Sequence, residues 1–163
     1  MAAEIGKTHV ERASETELLI TRVFRTRPTT LFDAMTKPEL LRRWWAPRSL
    51  GVELYECDVD LRVGGTYRYV FGKNGQPQMA FTGEYREIEH GARIVYTQIF
   101  EPMREAGAGI ITATYAATEG GTLLTQRERF PSKEVLDGVL ASGMERGMRE
   151  TLEQLEALLP QLA

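Results

Sequence analysis

The chain has 163 residues, 42% of them hydrophobic and 26% charged, which suits one globular domain large enough to bury most of its apolar surface. A net charge of -3, with Lys and Arg scattered along the chain, gives no footprint for nucleic acid or for an anionic membrane surface. No apolar run approaches the roughly 20 residues of a membrane-spanning helix.

Residues 1–16 are polar and mixed in charge, without the apolar centre of a signal peptide. We read them as a flexible lead-in to a single domain over residues 17–163, in the cytoplasm. The lone cysteine, Cys57, cannot form an internal disulfide, in keeping with a reducing compartment. The run LLITRVF, ending at Phe24, is the first predicted strand. Pro28 fits the first turn of a helix, and Leu31, Phe32 and Met35 follow at helical spacing. Pro38 opens a second short helix that runs to Trp45 and is closed by Pro47.

From Leu50 the period changes to two. Six strands are predicted over residues 52–61, 66–71, 79–88, 93–100, 110–118 and 122–130. Gly64-Gly65, Asn74-Gly75, His90-Gly91 and Gly120-Gly121 punctuate them, and Asn-Gly is a strong hairpin signal. Links this short join antiparallel neighbours, so the strands form a meander. Tyr67, Tyr69 and Phe71 share one face of their strand. Ser132 then caps a last helix, predicted as one continuous element to about Leu159. Leu136, Leu140, Met144, Met148, Leu152, Leu155 and Leu159 form its apolar stripe. Gly138, Gly143 and Gly147 interrupt it, each at a cost of about 1 kcal/mol against alanine. Close approach to the sheet, or room for a ligand, would account for them.

Four segments, in order, carry a family resemblance. They are FDAMTKPELLRRWWAP from Phe32, DLRVGGTYRY from Asp60, FTGEYREI from Phe81 and SGMERGMRETLEQLEALL from Ser142. Together they resemble the START-like (SRPBCC) superfamily, in its branch of heat-shock-protein-90 ATPase activator homologues. The resemblance runs from about Leu18 to Leu159. It implies an α+β helix-grip fold of the START/Bet v type: a curved antiparallel sheet of about seven strands around a long C-terminal helix, with two short helices after the first strand. Lys37 departs from the acidic residue usual before the proline of the second helix.

In that fold the concave face of the sheet points at the long helix. The implied ligand-binding set is then Tyr67, Tyr69 and Phe71 with Phe81, Tyr85, Tyr96, Gln98, Phe100 and Tyr115, closed by Met144 and Met148. Of Trp44 and Trp45, one is expected to plug the core and one to line the mouth of the pocket. A parity slip on any strand would move its residues outward. The expected function is binding of a small hydrophobic molecule between sheet and helix. The alternative is a cyclase, dehydratase or hydrolase on a polyketide-like or steroid-like substrate. Asp60, Arg62, Tyr85, Tyr96, Gln98 or Arg127 would then supply acid, base or hydrogen bonds. A chaperone-associated stress accessory is the second alternative. It is expected least, since the sequence given shows no counterpart of the further N-terminal domain of the eukaryotic co-chaperones. Edge strands and the long helix leave a homodimer open.

Asp60 and Arg62 read either as an ion pair fixing a hairpin or as an acid with its partner at a cavity mouth. Cys57 reads as a core residue ahead of a nucleophile, having no histidine near it in sequence. His9 and His90 have no neighbours at metal-ligand spacing, and phosphate-loop and dinucleotide fingerprints are missing. No metal or cofactor is expected.

Overall fold

A computed structural model describes residues 4–162. Eight antiparallel strands form one sheet in the order β1-β2-β8-β7-β6-β5-β4-β3. They are β1 His9–Arg12, β2 Glu17–Phe24, β3 Val52–Val59, β4 Thr66–Lys73, β5 Gln76–Glu89, β6 Arg93–Phe100, β7 Gly109–Thr118 and β8 Gly121–Arg129. Helices α1 Pro28–Thr36 and α2 Pro38–Leu41 follow β2, and α3 Lys133–Ala141 and α4 Met144–Leu158 follow β8. This is the expected helix-grip arrangement, with one strand more than the sequence suggested.

The extra strand is β1, which falls in the segment read as a lead-in; residues 1–3 of that segment lie outside the described residues. Its residues pair with β2 from His9↔Thr21 to Arg12↔Leu18. Val10 is its one aliphatic side chain, so no period-2 pattern announces it; backbone pairing at the sheet edge holds it.

Register shifts interrupt the pairing at Leu54/Glu56, Phe71/Gly72 and Tyr85/Glu87. Each such bulge adds local twist and bends its strand, and together they curl the β3–β6 half of the sheet. The concave face is filled from one side by α1, whose Leu31 and Phe32 are fully buried against Tyr115 and Leu124.

Two corrections concern helices. The second short helix ends at Leu41 rather than Trp45, and turns carry the chain on to the tryptophans. The last helix is two helices. Gly143 adopts a left-handed conformation (φ 81°) between α3 and α4, which breaks the continuous element that the apolar stripe suggested. Ser132 caps α3 as expected, accepting from the Val135 amide at 3.2 Å.

α4 ties the two ends of the sheet together. On one side, buried Arg22 of β2 reaches Glu153 at 2.7 Å and Glu156 at 3.3 Å. On the other, the Gln154 amide donates to the carbonyls of Trp44 and Ala46, and Glu150 accepts from Ser49. The latter contacts hold the turn that leads into β3, the opposite edge strand. Between these clamps Leu152, Leu155 and Leu158 face the core.

Candidate functional site

Strand register assembles the inner face. Tyr67 sits opposite Gly83, Tyr69 opposite Phe81, Tyr85 opposite Tyr96, and Phe81 opposite Phe100. Tyr96 pairs in turn with Ile111, and Ile111 with Glu128. Five strands therefore bring five tyrosines and one glutamate to a common concave surface.

A cavity of about 30 Å³ lies between this surface and α1. Tyr67, Tyr69, Tyr85, Tyr96 and Tyr115 wall it, together with Ile94, Ala113 and Gln126 of the sheet and Met35 and Thr36 of α1. A water needs ~10–15 Å³ of such space, whereas a drug-sized ligand occupies about 300 Å³ or more. In this conformation the cavity therefore admits water and nothing larger.

The tyrosine hydroxyls are unevenly committed. Tyr67 donates to the Thr97 carbonyl at 2.7 Å, and Tyr115 points to the Met35 sulfur at 3.6 Å. The Tyr69 hydroxyl approaches that of Tyr85. The Tyr96 hydroxyl has no hydrogen-bond partner among the described residues, and burial first, with Tyr67, Tyr115, Glu128 and Tyr85 adding to it, pushes it well above the usual phenol range. Burial likewise raises Tyr67, Tyr69, Tyr85 and Tyr115, so these phenols hold their protons firmly and act as neutral donors and acceptors.

The other aromatics expected at the site form a second group beside the cavity. Trp45 packs edge-on against Tyr69, Phe71 and Phe81, and Phe81 meets Phe100 at 5.3 Å. Trp44 is buried, its indole N–H donating to the Ala34 carbonyl at 2.8 Å. Trp44, Trp45, Phe71, Phe81, Gln98, Phe100, Met144 and Met148 are thus not cavity walls. Yet Tyr69, Phe81, Tyr96, Gln98 and Phe100 occupy inward register positions and remain only half buried. The concave face is therefore less tightly covered at this end than over Tyr115, Leu124 and Phe32. Met144 and Met148 pack half-buried against the core, and the methionine that meets the cavity is Met35 of α1.

Sequence reasoning missed Gln126 and Glu128. Both follow from parity on β8: Thr122 and Leu124 are fully buried, so residues 126 and 128 share their face. Arg127, which the enzyme alternative used, points the other way and stands exposed beside Glu17. Asp60 and Arg62 form an exposed ion pair of 2.9 Å at the β3–β4 hairpin, away from the cavity walls. Cys57 is buried, and burial pushes its thiol up to about 11, which leaves it a poor nucleophile at neutral pH. Of the residues assigned to the enzyme alternative, Tyr85 and Tyr96 meet at the cavity, whereas Asp60, Arg62, Gln98 and Arg127 are not among its walls.

No curated protein matches the chain. Solved structures do. A protein of Rhodobacter sphaeroides is 28% identical with a TM-score of 0.88, over 96% of this chain and 100% of its own. A protein of Chromobacterium violaceum is 28% identical with a TM-score of 0.77, over 90% of this chain and 98% of its own. One of Mycobacterium smegmatis is 25% identical with a TM-score of 0.81, over 93% and 96% of the two chains. The family model described as "Activator of Hsp90 ATPase homolog 1-like protein" matches residues 25–160, which takes in both short helices, β3 to β8 and both C-terminal helices. With that span matched and the same helix-grip sheet built from it, the chain belongs to the Activator of Hsp90 ATPase homolog 1-like protein family.

Proposed function

We propose that this protein binds a small, largely apolar molecule against the tyrosine-walled concave face, between the sheet and its helices. The observation that carries the reading is the uncommitted Tyr96 hydroxyl beside a cavity bounded by four further tyrosines. A predominantly apolar wall with a few placed polar groups is the general form of a small-molecule site. The cavity of about 30 Å³ describes a closed state, so occupancy requires outward displacement of a covering element. The half-buried end of the sheet, at Phe81, Gln98 and Phe100, is where cover is thinnest.

A binding role is favoured over catalysis because the described residues offer no nucleophile or exposed acid–base pair at the cavity. The reading carries with it a cytoplasmic setting, in line with one reduced, buried cysteine. Native and denaturing mass spectra of freshly purified protein test it. A small molecule retained in the native spectrum and lost on denaturation is the expected result. A clean apo mass, with no saturable binding of aromatic probes such as naphthylmethanol, would overturn it.

A further inference from the structure

Glu128 is the only buried carboxyl among the described residues, with 7% of its surface accessible. One of its oxygens accepts from the Gln126 amide at 2.9 Å. The other has no hydrogen-bond partner among the described residues, and it is not sealed off as a fully enclosed orphan. Gln126 itself is a cavity wall. Across the sheet, Ile111 separates Glu128 from Tyr96, and the charge of Glu128 acts on the phenols of both Tyr67 and Tyr96.

What this carboxyl lacks, among the described residues, is a cation. Arg22 is the only buried basic side chain among the described residues, and it is engaged by Glu153, Glu156 and the Thr8 hydroxyl. The cavity walls contain no lysine, arginine or histidine. Burial accordingly raises Glu128 above the usual carboxylate range, with the Gln126 hydrogen bond opposing it. An unpaired carboxyl in such a place favours an incoming hydrogen-bond donor or positive charge. When ionised, it disfavours a second carboxylate, which would meet like charge with no cation among the described residues to neutralise it.

On the reading that the concave face binds a small molecule, we propose that Glu128, with Gln126 and Tyr96, is the polar anchor of the site. The anchor selects apolar ligands whose polar end is a donor, an amine above an alcohol, and rejects those that end in a carboxylate.

Three ligands of one size test the inference: naphthylmethylamine, naphthylmethanol and naphthoic acid, titrated by fluorescence or calorimetry at neutral pH against the full chain and its Glu128→Gln variant. The expected order in the native protein is amine, alcohol, acid. The amine should lead the acid by about tenfold or more, the factor that one charge-assisted hydrogen bond carries. In Glu128→Gln the order should collapse to within about threefold, roughly what a neutral hydrogen bond leaves. Equal affinities in the native protein, or an acid that binds best, would overturn the anchor while leaving the cleft as a binding site. An order that survives in a folded Glu128→Gln variant would remove Glu128 from the role. If none of the three binds, the cleft reading itself fails, and the anchor with it. The native ranking decides even where the variant does not fold.

Discussion

At Gly83 the absence of a side chain has a definite purpose. Tyr67 stands opposite it on β4, lays its ring across β5, and delivers its hydroxyl to the Thr97 carbonyl on β6. A Cβ at residue 83 would sit 2.6 Å from the Tyr67 ring and would also press on the Thr97 carbonyl oxygen. Neither neighbour is the free end of a flexible chain. Gly83→Ala should therefore cost about 1–3 kcal/mol, the usual toll of overpacking, read as a lower midpoint in urea unfolding. An unchanged midpoint would mean that the Tyr67 ring is not held across the strand. The same scale shows what a sequence can disclose. Tyr67, Tyr69 and Phe71 declare their shared face by alternation alone, and the structure places all three inward. Glu128 obeys the same rule from Leu124 onward, yet a charged residue next to Arg127 and Arg129 looks like part of a solvated strand end. Its burial depends on Leu18 and Ile111 from two other strands, which no local pattern reports.

The glycines of the C-terminal helices separate two uses of one residue type. Gly138 lies within α3 with nothing within 4 Å of where a Cβ would be. Gly143 also faces open space, but its φ of +81° is one that L side chains rarely adopt. Gly138→Ala should raise stability by about 1 kcal/mol through helix propensity. Gly143→Ala should lower it by about 1–2 kcal/mol through left-handed strain. Thermal melts of the two variants should move in opposite directions. Equal gains would show that α3 and α4 can join into one helix at no cost. The apolar stripe from Leu136 to Leu159 made the joint invisible in sequence, because its spacing continues through the break. The meander, by contrast, was legible because glycine pairs fall at the short links. Two of these, Asn74-Gly75 and Gly120-Gly121, bring positive φ at both positions. The edge strand β1 was not, since a strand held by backbone pairing needs little from its side chains.

Across the whole molecule, the buried phenols give the fold an alkaline limit. Tyr67, Tyr69, Tyr85, Tyr96 and Tyr115 all sit on one surface, and burial raises every one of them. Their ordinary value is 10.0, which the unfolded chain recovers. Above pH ~10 the unfolded chain therefore releases protons that the folded chain keeps, so stability falls as pH rises. Each retained proton contributes a slope of about 1.4 kcal/mol per pH unit, and five together approach about 7 kcal/mol per unit once all ionise in the unfolded state. Buried Cys57, pushed from 9.0 to about 11, adds to the slope at its lower end. A domain with the common reserve of ~5–15 kcal/mol cannot withstand this for more than about two pH units. Phenolate absorbance and far-ultraviolet circular dichroism, followed together from pH 8 upward, should consequently change in a single shared transition. Phenolate that appears first, with the fold intact, would mean that water already reaches the tyrosine surface. That result would locate the opening of the cleft in the unliganded protein. A shared transition instead assigns the opening to a state that a ligand must pull into being, and binding then costs whatever free energy holds the cleft closed.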